Sequence, residues 1–287
     1  MQNRAAVTGA GGFVGSRLVS GLLEKGWEVY ALSSGPDDLP RTSGVTPVGC
    51  DWTKAGIEKA FAEAQDAALW IHAAAHIDFG NQDVLRLYES NALLTDYLAT
   101  IIARETAAAR LIYLSSVSVY GQGQSLSAEV EPRPDSHYGL SKLLGERLCA
   151  AILGERCVAV RLAGVWGLEQ QPKLFLNRCL SQAREGQSLK ISGAGRSRRN
   201  YLWVGDVATI ALAAFANKWT GVRLAAAPEA LSLREMVGLI GDRFQVPVEV
   251  ENENNSAAET DMIVSVSAGL PSTNFREALE AETARAL

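Results

Sequence analysis

A tyrosine and a lysine stand four positions apart in "SHYGLSK", residues 136–142. The apolar spacing predicts a helix over 137–153, and on a helix positions i and i+4 lie one above the other, so the Tyr138 phenol and the Lys142 ammonium leave the same face. The chemistry such a pair can do is proton transfer. A free phenol, with a pKa of about 10, is too weak an acid to protonate an alkoxide near neutral pH. A neighbouring cation favours the phenolate and is expected to lower that value; lowering it by about three units corresponds to about 4 kcal/mol, which requires a sheltered cleft. Ser116 ends the apolar run "RLIYLSS" and offers a hydroxyl to a carbonyl oxygen on which charge develops. Asn91 sits within the apolar stripe Val84, Leu87, Tyr88, Leu94 and Leu98, where an amide must find hydrogen-bond partners.

A second constellation is the glycine run "VTGAGGFVG", residues 7–15. Gly9, Gly12 and Gly15 fall where a first strand gives way to a first helix opened by Phe13 and Val14. Glycines at these spacings let the backbone turn tightly and approach a pyrophosphate, which the helix N-terminus then attracts. A dinucleotide cofactor is therefore expected. Its identity depends on the end of the second strand, where NAD enzymes of this architecture place an acid on the ribose 2′-hydroxyl. Here the strand ends "YALSSGPDD", with Ser33 and Ser34 at that place and Asp37 and Asp38 only after Gly35 and Pro36. Serines can hydrogen-bond a 2′-phosphate that a carboxylate would repel, so NADP is the expectation and NAD the alternative; Arg41 is the nearest guanidinium.

These groups need a frame to hold them. "AAVT", "EVYAL", "ALWIHAA", "RLIYLSS" and "CVAVRL" read as buried strands alternating with amphipathic stretches at 13–25, 54–65, 83–105 and 137–153. That order predicts an α/β fold, a doubly wound parallel Rossmann-type sheet with a smaller C-terminal substrate lobe. Residues 1–165 are assigned to the dinucleotide-binding domain, with a return at 200–227, and the remainder of 166–287 to the substrate lobe. Further helices are expected at 173–185, 206–217 and 231–244, and the polar stretch 251–261 as an exposed loop.

The 287 residues are 47% hydrophobic and 21% charged, with a formal net charge of −5. This is a globular composition without the basic footprint of a nucleic-acid or anionic-membrane binder. Cys50, Cys149, Cys157 and Cys179 show no metal-ligand spacing and are read as reduced core residues. No signal peptide or spanning stretch is apparent, so a cytoplasmic protein is expected. His72 and His76 flank "AAA" with no acid to complete a metal site; no metal is expected, and both are read as core or cleft-wall histidines.

Taken together, the glycine loop, "IHAAA", "YLSSVSVYG", "YGLSK" and "RRNYLWVGD" resemble the extended short-chain dehydrogenase/reductase family, the NAD(P)-dependent epimerase/dehydratase group. The resemblance implies that Ser116, Tyr138 and Lys142 form the catalytic triad, with Asn91 supporting a proton relay. It places Gly9, Gly12 and Gly15 at the pyrophosphate and Asp51 near the adenine, with Trp52, Ala73, Ala74 and Ala75 among the cofactor contacts. Ser118, His76 and Arg199 are implied substrate contacts, Arg199 at a phosphate. A homodimer pairing the helices near 83–105 and 137–153 is also implied.

Departures from the family patterns narrow the chemistry. Val117 and Ser118 stand where related 4,6-dehydratases carry Asp-Glu, decarboxylases a Glu, and epimerase-reductases a Cys. Simple ketone/alcohol redox remains. With no acid after the second strand, the expected activity is an NADP-dependent reductase of a keto group on a nucleotide-activated sugar. An NAD-dependent 4-epimerase, or a reductase of a hydroxysteroid-like or other small lipophilic ketone, is the alternative; "HAAAHIDF" resembles the lipophilic-ketone relatives, and Leu162 and Gly164, where many sugar-modifying members have Pro and Asn, imply an altered sugar pocket.

Overall fold

The protein was studied as a computed structural model, which describes residues 3–78, 80, 82–121, 125–168, 174–251 and 260–284. In chain order the elements are β1 (Arg4–Thr8), α1 (Phe13–Glu24), β2 (Glu28–Ser33), β3 (Val45–Gly49), α2 (Lys54–Glu63), β4 (Leu69–His72), α3 (Val84–Tyr88), a π-helical turn (Glu89–Leu93), α4 (Leu94–Glu105), β5 (Arg110–Ser116), β6 (Ser125–Leu126), α5 (His137–Leu153) and β7 (Cys157–Leu162). There follow β8 (Val165–Trp166), α6 (Phe175–Arg184), β9 (Leu189–Ser192), β10 (Arg198–Arg199), β11 (Leu202–Trp203), α7 (Val207–Ala216), β12 (Gly221–Ala225), β13 (Leu231–Ser232), α8 (Leu233–Phe244), β14 (Val248–Glu251), β15 (Ile263–Val264) and α9 (Phe275–Ala284). Of the stretch 251–261 read as a loop, residues 252–259 lie outside the described residues.

The main sheet has seven strands in the order β12-β7-β5-β4-β1-β2-β3, with parallel pairing from β7 through β3. The Rossmann-type α/β reading is thus met. Strand order reverses between β1 and β4, and it is outside the carboxyl ends of such neighbours that open α/β sheets bind ligands. The central strands read as unbroken apolar runs because helices cover both faces: Ala5, Ala6 and Val7 of β1 and Leu69, Trp70 and Ile71 of β4 are fully buried. Leu18 and Leu22 of α1, four positions apart, complete one side of this core.

The chain divides into two compact units. The first comprises Met1–Gly121, Val130–Leu162 and Val207–Arg223 and carries most of the main sheet. The second comprises Gln122–Glu129, Ala163–Asp206 and Leu224–Leu287. Its small strand pairs are β14 with β9, β11 with β8 and β15 with β6, all parallel, and β10 with β13, antiparallel. The α8 helix begins with a capping box, Ser232 and Glu235 satisfying each other's backbone N–H groups. Trp166 stacks on Phe275 at 4.4 Å, and the buried Asn200 amide bonds the carbonyls of Ala227 and Val264 and the Val264 N–H.

The four cysteines are free thiols, all buried. No helix among the described residues is long and apolar enough to cross a membrane.

Candidate active site

The site is built at the carboxyl ends of β1, β4 and β5, entirely within the first unit. Gly9 leaves β1 with φ +69°, and a Cβ there would lie 2.7 Å from the Cα and N of Ala74. A Cβ on Gly15 would lie 2.0 Å from the Gly9 carbonyl oxygen, so only glycine lets α1 start this close to the loop. The loop is closed by Gly12 N–H on the Gly9 carbonyl, 2.9 Å, and α1 is capped by Gly12 without any side-chain hydrogen bond. An extended cradle with a helix N-terminus facing outward fits a dinucleotide pyrophosphate. Phe13 and Val14 form the first turn behind it, both half-buried.

Along the rim, Ser33 ends β2 and its Oγ accepts the Gly35 N–H at 3.2 Å, while Ser34 is exposed. Arg41 pairs with Asp37 at 2.9 Å on the surface. One Asp51 oxygen accepts both the N–H and the hydroxyl of Thr53, at 2.9 and 2.8 Å, which holds the carboxyl below its usual range. Trp52 between them has φ +60°, a left-handed conformation unusual for a large side chain. A small void beside it is lined by Thr8, Leu32, Cys50, Trp52, His72 and Leu98. Ala73 and Ala74 leave β4 with both N–H groups on Thr8 Oγ1, each at 3.1 Å, and Ala75 is exposed.

The structure brings Ser116 and Tyr138 together. Ser116 ends β5 and caps the 3₁₀ turn Val117–Tyr120, its Oγ accepting the Ser118 N–H at 3.1 Å and lying 3.0 Å from Ser118 Oγ. Tyr138, buried in the first turn of α5, is hydrogen-bonded to Ser116. Ser136 caps that helix by accepting the Gly139 N–H. A Cβ on Gly139 would come within 2.2 Å of the Ser118 carbonyl oxygen, and one on Gly145 within 2.3 Å of Tyr113 Oη. These two glycines of "YGLSKLLGE" let α5 press onto β5 and the turn after it. Sequence reasoning missed them, because residues six apart on a helix do not share a face.

Lys142 is buried with its Nζ 4.2 Å from the centre of the Tyr113 ring. Burial lowers its pKa to about 8, against the pull of Glu146 one turn further along. The phenol departs from expectation. Burial pushes Tyr138 up to about 12, with the Ser116 bond acting the other way, and the Lys142 charge is directed at Tyr113 instead.

Asn91 falls in the π-helical turn, a distortion frequent at functional sites. Its Oδ1 accepts the His76 N–H at 2.8 Å, and its Nδ2 donates to the His76 carbonyl at 2.9 Å and to Ser141 Oγ at 3.0 Å. The amide is thus the clamp for the half-buried His76. His72 is a core histidine, bonded on both ring nitrogens, with burial and then the Lys142 charge lowering its pKa to about 3. His137 is exposed, its Nδ1 3.1 Å from the Tyr88 hydroxyl. Arg199 lies in the second unit on β10, where Nη1 donates to the carbonyls of Arg198 and Thr260 at 2.9 and 2.6 Å. Among the described residues no group of three or more His, Cys, Asp or Glu is placed to hold a metal.

Residues 5–224 match the family model described as the NAD dependent epimerase/dehydratase family. The chain belongs to that family. Its members are NAD(P)-dependent enzymes, and they include the extended short-chain dehydrogenases that the motifs resemble. A "Putative UDP-glucose 4-epimerase" of Methanocaldococcus jannaschii is 30% identical over 225 residues, 70% of each chain. A 3-beta-hydroxysteroid dehydrogenase of Mycolicibacterium neoaurum is 30% identical over 190 residues, 61% of this chain but 51% of that protein. Among solved structures, MoeE5 in complex with UDP-glucuronic acid and NAD has a TM-score of 0.81 at 25% identity, covering 99% of this chain and 100% of that one. A dTDP-4-dehydrorhamnose reductase from Bacillus anthracis in complex with NADP has a TM-score of 0.80 at 18% identity, covering 99% and 100%, and shares the fold.

Proposed function

We propose that this chain is a nucleotide-sugar 4-epimerase that holds NAD. The observation that carries the reading is the likeness to a UDP-glucose 4-epimerase over 70% of both chains, together with a buried Tyr138–Ser116 contact beside a cradle shaped for a dinucleotide. It replaces the NADP-dependent ketoreductase expected from the second strand. One further fact supports NAD: MoeE5 binds it.

The cradle of Gly9, Gly12 and Gly15 would hold the pyrophosphate, and bound NAD would supply the capacity to accept and return a hydride. The chain's own task is the proton. Tyr138 Oη removes it from the sugar C4 hydroxyl as the alcohol becomes a ketone, and gives one back when the ketone is reduced from its other face. Ser116 Oγ hydrogen-bonds the same oxygen and stabilises its developing charge. Lys142 Nζ, kept from water, supplies positive potential nearby. Arg199 is assigned to the substrate phosphate, where a guanidinium suits paired oxygens. Leu85, Leu93, Leu140 and Leu144 are large apolar side chains left exposed on α3, the π turn and α5, and support a homodimer through these elements; light scattering of the purified protein tests it.

A second reading keeps the NADP-dependent reductase, because Ser33 and Ser34 stand where an acid would select NAD. Denaturing the purified protein and identifying the released nucleotide separates the two: bound NAD supports the epimerase, and NADP or an empty site supports the reductase. Incubation with UDP-glucose and UDP-glucuronic acid, followed by separation of C4 epimers, then tests the activity. Tyr138→Phe should abolish conversion while NAD binding persists, and retained conversion would end the assignment.

A further inference from the structure

A run of side-chain hydrogen bonds that the proton transfer above does not use crosses the first unit at the ends of β1 and β4. Thr8 Oγ1 lies 2.7 Å from His72 Nδ1 and accepts the Ala73 and Ala74 N–H groups. His72 Nε2 lies 3.0 Å from Thr95 Oγ1, and Thr95 Oγ1 donates to the Asn91 carbonyl at 2.9 Å. Each hydroxyl has one proton to give. Thr95 gives its proton to Asn91, so it accepts from His72 Nε2–H. Nδ1 is then bare and takes the Thr8 proton, which leaves the Thr8 oxygen to receive the two backbone N–H groups. In the opposite tautomer Nδ1–H would be a third donor to Thr8 Oγ1, and Thr95 could serve Nε2 only by giving up the Asn91 carbonyl. Thr8, His72 and Thr95 are all at most 2% exposed, so bulk solvent does not reach that mismatch.

The two ends of the run lie at the two halves of the site. Thr8 precedes Gly9, whose missing side chain admits Ala74. At the other end the Asn91 carbonyl also accepts the Tyr113 hydroxyl at 3.3 Å, and the Tyr113 ring faces Lys142 Nζ. The Asn91 amide reaches Ser141 Oγ, which donates to the Tyr138 carbonyl at 2.8 Å. We propose that His72, held as the neutral Nε2–H tautomer between Thr8 and Thr95, is a positioning residue that fixes the glycine-loop strand against the Tyr138–Lys142 helix. The nearby Lys142 charge is a further reason for the imidazole to stay neutral. Only the catalytic part of this assignment rests on the proposed function.

The full chain is the sample, with NAD bound for the NMR and turnover arms and freed of nucleotide for the titration. Imidazole nitrogen NMR at pH 7 resolves three histidines, and one is expected to show a bare Nδ1 and a slowly exchanging Nε2 proton, lost in His72→Gln. A His72 ring protonated on Nδ1, or on both nitrogens, overturns the proposal. Fluorescence titration with NAD needs no sugar: Thr8→Val, at the cradle end, is expected to weaken binding about tenfold, and Thr95→Val, at the helix end, to leave it within threefold. Equal effects from both variants overturn it. With the sugar substrate, Thr95→Val should lower kcat about tenfold at little change in KM, and Thr95→Ser should restore it to within twofold; an undiminished kcat in Thr95→Val overturns it. If Thr95→Val does not fold, His72→Gln, which keeps a donor toward Thr95, takes its place with the same expected kcat loss. A wild-type protein that converts no nucleotide sugar counts against the proposed function, while the NMR and NAD arms still decide the role of His72.

Discussion

Glu146 and Arg161 close a two-pronged ion pair in the interior, with Arg161 Nε 2.9 Å from Glu146 Oε1 and Nη2 2.7 Å from Oε2. The pair is 4% and 3% exposed, and its spare valences are taken: Ser115 Oγ donates to Oε1 at 2.5 Å, and Arg161 Nη1 donates to the Tyr120 hydroxyl at 2.6 Å. Successive strand residues face opposite ways, so Ser115 anchors the back of the strand end whose front presents Ser116. Removing one partner strands a buried charge, whereas removing both substitutes apolar volume for it. Arg161→Met is therefore expected to lose about 3–5 kcal/mol in urea unfolding, and the double variant Arg161→Met/Glu146→Leu to recover most of that loss.

The parts of this site that the sequence disclosed are those fixed by local rules. The glycine loop and the i, i+4 pair Tyr138 and Lys142 follow from backbone geometry, and the predicted helix over 137–153 coincides with α5. What stayed hidden depends on contacts between elements distant in the chain. Nothing near Lys142 foretells that its Nζ faces Tyr113, on β5, and the local sequence does not record the burial that turns the expected lowering of the Tyr138 pKa into a rise. Asn91 was legible as a buried amide in need of partners, but not that those partners are the backbone of His76 and the hydroxyl of Ser141. The stretch 83–105 has continuous helical spacing, and its π-helical turn is an adjustment that the apolar period does not record.

The close approach at Gly15 makes a sharp prediction for cofactor binding. A methyl group there would overlap the Gly9 carbonyl oxygen, 2.0 Å away, and the obstacle is backbone, which cannot rotate aside. Gly15→Ala is expected to displace the start of α1, lower stability by about 1–3 kcal/mol as overpacking does, and weaken NAD binding at least tenfold by calorimetry. Gly26→Ala provides the contrast: with φ +76° and open space around its Cβ, it should cost stability alone.

Stability should fall with acid through His72. Its folded pKa of about 3 lies below the ordinary histidine value of 6.5, so between these values the unfolded chain binds the proton and the native state does not. The native state is then favoured fully above pH 6.5 and progressively less as pH drops toward 3, by at most about 5 kcal/mol. Carboxylates contribute their own acid dependence, so the quantity to measure is the difference between wild type and His72→Gln in urea unfolding from pH 7 to 4. The wild type should lose stability faster as pH falls; parallel curves would show that the buried ring does not resist protonation.

The Ser116–Tyr138 contact predicts a displaced titration. Burial holds the phenol at about 12, and the Ser116 hydrogen bond is the interaction that opposes it. A donor to the phenolate favours ionisation, so Ser116→Ala removes the opposing effect and should raise the Tyr138 pKa by about one unit, the equivalent of one hydrogen bond to a charged group. Ultraviolet titration of tyrosinate, taken as the difference from Tyr138→Phe, reads this directly without any substrate. In turnover the consequence has a definite sign: at a fixed pH less phenolate is present to remove the sugar hydroxyl proton, so the rising limb of kcat/KM against pH should move to higher pH in Ser116→Ala. An unmoved limb together with a lowered maximum would assign Ser116 to the substrate oxygen alone.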